Sequence, residues 1–277
     1  MRIVTDSGCD LPKEIKSNTQ VPIHSVPITI TVDGKDFVDD SSLDVIKFRE
    51  EMLQSKEAVK TAAPSPALYF EKFKEAGEVF VVTISSKLSA SYNNAIIAKN
   101  QIMEEIENKF VHIFDSMSAA AGQALIALKI KELIENKISP ADIVEKVTEY
   151  IKSVETYFIL ERYDNLVKNG RVKPYIAKIA ETLNIYPVCC AEEGEIKMVS
   201  KAFGAKRAMA KLVDIITSKK VDYENRSLAI THVACEDKAL EYKEKILSAV
   251  KFKDVVISEA AGVISTYANY GGVVISF

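Results

Sequence analysis

The stretch EVFVVTISSKLSASYNNAIIAKNQ, residues 78–101, decides the fold. Val79 to Val82 form an unbroken apolar run of β-branched and aromatic side chains, the pattern of a strand buried on both faces. Ser85, Ser86, Ser89 and Ser91 follow as a polar knot, and apolar residues then recur at helical spacing over 90–108. A buried strand running straight into a helix opens a β-α-β unit, whose strands lie parallel beneath their helices. FVHIFD (110–115) supplies the next strand, and 118–136 a long helix rich in Ala and Leu. Ser139-Pro140 opens another helix, proline being suited to a first turn.

Toward the N-terminus, RIVT (2–5) is a short strand feeding the polar cluster DSGCD. PITITVDGKDFVDD (27–40) alternates apolar and polar residues around Asp33-Gly34, a hairpin signal. SSLDVIKFREEMLQ (41–54) predicts a helix capped by Ser41 or Ser42. KTAAPSP (60–66) breaks the pattern, and ALYFEKFKEAG (67–77) predicts a helix closed by Gly77. Beyond about residue 153 the regular alternation loosens. TYFILER (156–162) reads as a strand, and YDNLVKNGRVKP (163–174) carries a turn at Asn169-Gly170. Residues 183–204 read as antiparallel strands around Glu193-Gly194. A helix (204–219), SLAITHV (227–233), a helix (236–250), DVVISEA (254–260) and GGVVISF (271–277) complete the chain. The expectation is α/β with two domains. Residues 1–153 form a parallel sheet flanked by helices, and 154–277 an α+β domain with a mixed sheet.

Composition narrows the function classes. The 277 residues are 48% hydrophobic and 27% charged with no low-complexity run, so disorder is not expected. A net charge of -3 argues against a nucleic-acid binder. Four cysteines without C-x-x-C spacing and three scattered histidines give no transition-metal pattern, so no metal or cofactor is expected. No stretch has eighteen uninterrupted apolar residues, and MRIVTDSGCD lacks a secretory apolar core, so the expected location is the cytoplasm.

Ligands of open parallel sheets bind outside the carboxyl ends of the strands. Those ends here are TDSGCD (5–10), TISSKLSAS (83–91) and DSMSAA (115–120), all rich in Ser, Thr and Asp. Hydroxyls and amides at a helix start attract an anion. The serine loop nevertheless lacks glycine and a P-loop lysine, which weakens a nucleotide reading. Its plainest alternative is helix capping by Ser89 or Ser91. A serine hydrolase would need a G-x-S-x-G elbow, which is absent. Asp6, Asp10 and Asp115 admit two readings: a Mg²⁺-binding set for a small-molecule phosphotransferase or hydrolase, or turn-formers at strand ends. Lys168, Arg171 and Lys173 read equally as a solvated tip or as a small basic patch.

Taken in order, the motifs resemble the DegV family, the fatty-acid-binding proteins of bacterial fatty acid kinase. The resemblance rests on IVTDSGCDLP (3–12), VPITITVDGKDFVDD (26–40), VKTAAPSP (59–66), TISSKLSASYNNA (83–95), FDSMSAAAGQ (114–123) and LVKNGRVKP (166–174). It implies an acyl tunnel between two domains and a carrier without catalysis. It also implies that Thr61 and Ser89 hold a long-chain fatty acid carboxylate, with Ser91 supporting. Arg171 would belong to the surface serving a separate kinase, and transient contact with a membrane surface is compatible with such a carrier. Two departures stand out: Ala62-Ala63 replace the family's Ser-Gln, and TYANYGG (266–272) replaces H-x-G-P-G. The latter puts Tyr267 at the histidine position, able to donate a hydrogen bond but not to carry charge. Burying about fourteen methylenes at ~0.8 kcal/mol each offers roughly 11 kcal/mol before association costs, so the tail would supply affinity and the hydroxyls orientation.

Overall fold

The computed structural model describes residues 1–16, 20–55, 57–75 and 77–277. The chain opens with β1 (Arg2–Asp6), the short α1 (Lys13–Lys16) and β2 (Ile23–Val26), followed by the hairpin β3 (Thr29–Val32) and β4 (Lys35–Val38). Next come α2 (Val45–Gln54), β5 (Lys60–Ala62) and α3 (Pro66–Lys74). The opening stretch forms β6 (Glu78–Thr83) and α4 (Ser91–Glu105), and β7 (Phe110–Asp115), α5 (Ala121–Glu135) and α6 (Pro140–Ser153) follow.

β2, β1, β6 and β7 lie side by side in that order, all parallel. Side chains alternate across a strand, and β6 uses both faces. Val79 and Val81 pack with Tyr69, Phe73, Ala95 and Ala98 of α3 and α4. Phe80 and Val82 pack with Ala124, Ile130 and Val147 of α5 and α6. That double cover is why the run reads as continuously apolar.

The rest of the chain adds β8 (Thr156–Ile159), α7 (Asp164–Lys168), α8 (Pro174–Ala180), β9 (Ile185–Glu192) and β10 (Glu195–Phe203). It continues with α9 (Ala205–Thr217), β11 (Ser227–His232), α10 (Glu236–Ala249), β12 (Asp254–Glu259), α11 (Gly262–Ala268) and β13 (Val273–Ser276). Its mixed sheet runs β10-β9-β8-β13-β11-β12, with β11 and β12 parallel and the other pairs antiparallel. Leu212 and Ile216 of α9 and Tyr242 and Ile246 of α10 cover one face. The other face, presenting Phe158 and Val274, meets Ile28, Ile30, Phe48 and Val59 from the small β4-β3-β5 sheet and its helix.

Local expectations need four corrections. Neither Ser41 nor Ser42 caps α2; Asp40 accepts the Ser42 N–H at 2.8 Å in a tight turn, and Asp44 takes the cap by accepting from Lys47 N at 3.2 Å. KTAAPSP is not only a breaker, because Thr61 pairs opposite Ile30 in a three-residue strand. The helix expected to close at Gly77 ends at Lys74, and Ala76 lies outside the described residues. LVKNGRVKP is a helix–turn–helix rather than a hairpin tip, with Gly170 at φ +70° between α7 and α8.

Candidate ligand-binding site

A cavity of about 210 Å³ lies between the carboxyl-end loops of the parallel sheet and the open face of the mixed sheet. Two of the three expected strand ends line it: Ile84, Leu88, Ser89 and Ala90 after β6, and Ser118, Ala119 and Ala120 after β7. Phe158, Leu160 and Val274 form its opposite wall, Ala191 and Ile196 come from β9 and β10, and Val263, Ile264 and Ala268 come from α11.

The third strand end braces the loops instead. Ser7 Oγ accepts from Ile28 N at 3.1 Å, and Gly8 O accepts from the cavity residue Ala120 at 2.9 Å. Asp6, Asp10 and Asp115 are each engaged by backbone. Asp6 accepts from Ile84 N at 2.8 Å, Asp10 from Ala261 N at 2.9 Å, and Asp115 from Ser86 N at 3.1 Å and Met117 N at 3.0 Å. They bind three different stretches of backbone, and among the described residues no cluster of His, Cys, Asp and Glu could hold a metal ion. Burial raises the pKa of Asp6 from its ordinary value, against the pull of Gln123, the Ile84 N–H, Ser91 and the Gly8 N–H.

The cavity's polar groups fall in two sets. In the first, Thr61 Oγ1 and Tyr267 Oη lie 2.7 Å apart, and either can donate. Ser89 Oγ lies 2.9 Å from Ser91 Oγ and accepts the Ser91 N–H at 3.2 Å. Thr61, Ser89 and Tyr267 line the cavity, whereas Ser91 is fully buried behind Ser89. The expected serine cap is absent in its ordinary form. Ala90 holds the cap position without a side-chain bond, and Ser89 reaches the first helical N–H from one residue earlier.

Arg171, the charged residue of the lining, is half-buried; its Nε donates to Leu88 O at 2.8 Å and its Nη1 to Asn169 O. It is therefore no solvated tip but a tie holding the Ser89 loop. The second set is Ser118 and Thr156, 2.8 Å apart, with Ser276 donating to Thr156 at 2.9 Å. Thr156 had no signal in the sequence beyond its place at the head of an apolar strand. Of the two alanine departures only Ala63 lines the cavity; Ala62, its neighbour, is exposed.

An α/β protein with an apolar cavity edged by hydroxyls, and no carboxylate or histidine in the described lining, is a container for an apolar ligand with a polar end. The chain belongs to the DegV family: the family model, described as an uncharacterised protein of that family, matches residues 1–277. A DegV domain-containing protein of Streptococcus pneumoniae is 35% identical over 280 residues, covering 100% of this chain and 98% of the relative. The crystal structure of a DegV family protein from Ruminococcus gnavus, refined with vaccenic acid, superposes with a TM-score of 0.94 at 33% identity, covering 100% and 99% of the two chains. The Fatty Acid Kinase (Fak) B3 protein of Streptococcus pneumoniae, loaded with linoleic acid, superposes with a TM-score of 0.93 at 34% identity, covering 100% and 98%.

Proposed function

We propose that this protein binds a long-chain fatty acid in its cavity and presents the carboxylate to a separate kinase, taking no catalytic part itself. The observation that carries the reading is the cavity, apolar along its length and edged by the Thr61–Tyr267 and Ser89–Ser91 hydroxyl pairs. The fatty acids held by the relatives from Ruminococcus gnavus and Streptococcus pneumoniae support it. Thr61, Ser89 and Tyr267 contact the carboxylate, and Ser91 orients Ser89. Hydroxyl bonds to a charged oxygen contribute about 1.5–3 kcal/mol each, so the buried chain supplies most of the affinity. Arg171 steadies the Ser89 loop, and its exposed edge is the surface assigned to the kinase. The boundary between two domains falls near residue 153, between α6 and β8, with the cavity beside it. The carrier would act in the cytoplasm and touch a membrane surface only to collect or release its chain. Among the described residues no helix is long and apolar enough to cross a membrane.

Mass spectrometry of ligand extracted from the native protein tests this directly. The expected result is a stoichiometric fatty acid, or uptake of one offered to stripped protein. Finding neither overturns the proposal.

A further inference from the structure

The hydroxyl pair at Ser118 and Thr156 stands apart from the proposed carboxylate seat. On the mixed sheet Thr156 lies opposite Ser276, Phe158 opposite Val274 and Ile159 opposite Val273. Alternation along β8 puts Thr156 on the same cavity face as Phe158. β13 starts at Val273, just after α11, the helix that carries Tyr267, and Ser276 lies three residues further on. At ~3.3 Å per residue that is about 10 Å along the strand, so hydroxyls there would meet the body of an acyl chain rather than its carboxylate. α5 closes over them with bare backbone: a Cβ on Gly122 would come within 2.2 Å of Ser118 Oγ and 2.6 Å of Thr156 Oγ1. Both side chains are buried and held from behind.

Ser118, Thr156 and Ser276 bring three hydroxyl protons to this spot. Ser276 gives its own to Thr156 at 2.9 Å, and the 2.8 Å contact between Thr156 and Ser118 uses a second, from either side. If Thr156 donates, the Ser118 proton is left over; if Ser118 donates, the Thr156 proton is left over. In both cases one proton remains on a residue that lines the cavity. Among the described residues the one further acceptor is Ala119 O, 3.4 Å from Ser118 Oγ, beyond the roughly 2.5–3.0 Å of a sound O–H···O bond. Buried donors are ordinarily satisfied, and a tie between α5 and the sheet is complete without this third proton.

We propose that the Ser118–Thr156 pair is a second ligand contact, which selects fatty acids carrying an oxygen, as a keto or hydroxyl group, part-way along the chain. The leftover proton donates to that oxygen. A wholly apolar wall would reject an oxygenated chain, because its oxygen would lose water and gain no partner. Here that penalty is offset at one position along the chain, so the pair decides which isomer is accepted. A plain acyl chain still fits but leaves the proton unmet. The inference rests on the proposed function, because it takes the carboxylate to lie at the Thr61–Ser89 end.

The test is displacement of a fluorescent fatty acid from stripped whole protein by stearate and by ketostearates, with the carbonyl at successive positions from mid-chain outward. A keto oxygen only accepts, so it reads the leftover proton alone. One carbonyl position should bind within about threefold of stearate, and the others about ten- to a hundredfold more weakly. Either single substitution leaves one donor, so Ser118→Ala is combined with Thr156→Val, which removes both oxygens at nearly constant shape. In that double variant the favoured isomer should drop about ten- to a hundredfold relative to stearate and join the others. A merely structural pair would lower the melting temperature of the double variant without moving that ratio. Uniformly weak ketostearates, or an unchanged ratio in the double variant, overturn the inference and leave the fatty acid reading standing. Should the double variant not fold, the parent series decides alone: a single favoured position upholds the inference and a level series refutes it. If neither stearate nor any ketostearate binds, it is the functional reading that falls.

Discussion

Thr61 and Tyr267 meet across the cavity at 2.7 Å, and the bond between them consumes one of their two protons. Only the other is left for a ligand carboxylate, and either residue can supply it. Thr61→Val keeps the β-branched shape that suits a strand, and Tyr267→Phe keeps the ring. In either single variant the surviving hydroxyl, relieved of its partner, turns its proton to the carboxylate. The loss of affinity should therefore be below tenfold, while the broken mutual bond lowers folding stability by about 0.5–1.5 kcal/mol. The double variant removes the last donor of the pair and should lose a charge-assisted bond of about 1.5–3 kcal/mol, or roughly ten- to 150-fold in affinity. The cycle is then more than additive for binding, as expected for residues in direct contact. Fluorescent fatty acid displacement on the four proteins reads the affinities, and urea denaturation the stabilities. A hundredfold loss in either single variant would refute the shared-proton argument, and so would a double variant equal to the sum of the singles.

Three further outcomes follow from other contacts. Ser85 Oγ donates to Gly194 O at 2.8 Å and ties the β9–β10 turn to the loop after β6. Ser85→Ala should cost about 0.5–1.5 kcal/mol and hasten release of a bound acyl chain in stopped-flow displacement; unchanged release would show that the turn does not hold the ligand in. Asn269 sits at φ 57°, ψ 170° with a buried, unpartnered Nδ2, a conformation made for glycine. Asn269→Gly should therefore raise stability by about 1 kcal/mol, or ~2–4 °C in melting temperature, relief of strain outweighing the entropy of glycine; a lower melting temperature would contradict it. His112 and His232 are pushed below their usual 6.5, chiefly by burial; Lys99 adds to the first, while at the second Glu259 and Glu236 pull the other way and Arg49 adds to burial. Depressed values mean stability present above that pH and lost as pH falls through the folded-state values. Asp6, raised, works oppositely: its contribution is complete below the ordinary carboxylate value and is lost as pH rises through its folded value. Urea midpoints measured from about pH 7 to pH 5 should fall less steeply, or rise more, in His112→Phe than in the parent protein, since the Phe ring can keep the 4.5 Å contact with Phe114; identical pH dependence of the two would show that His112 is not held neutral.

How much of this was legible depends on how local the cause is. The parallel sheet could be read from Val79–Val82 because burial on both faces writes itself into one strand. The β3–β4 hairpin could be read because its turn needs Asp33 and Gly34 at positive φ, 47° and 79°. By contrast β5 is three residues long, and its partner β3 lies some thirty residues away; nothing local marks Lys60–Ala62 as a strand. α11 escaped for another reason. Gly262 through Thr266 are all buried, so the segment has no polar face and no periodicity to detect. Tyr267 was placed by resemblance of the motif around it; Ser118 was placed only as part of the DSMSAA strand end, and Thr156 not at all, since their meeting depends on how the two sheets come together.

The proposed carboxylate seat shows why such sites resist a local reading. Its three cavity-lining hydroxyls stand on three unrelated segments, and each segment is fixed by polar side chains that hold backbone rather than ligand. α11, which carries Tyr267, has its first N–H groups bound by Asp39 at 2.7 and 2.9 Å, from the end of the β3–β4 hairpin. The approach to Thr61 is held by Asn169, which donates to Val59 O at 2.9 Å, and its exit by Asn94, which donates to Pro64 O at 2.8 Å. The Ser89 loop is held by Arg171 through Leu88 O. These ties run between segments distant in sequence, and hydrogen bonds of this kind fix direction as well as distance. A hydroxyl seat for a carboxylate tolerates little misplacement, because its donors are few and neutral. The apolar tunnel, by contrast, needs only the right volume and no water. The proposed head-group end is thus ringed by ties between distant segments, while Phe158, Leu160 and Val274 supply apolar packing on the opposite wall beside the Ser118–Thr156 pair.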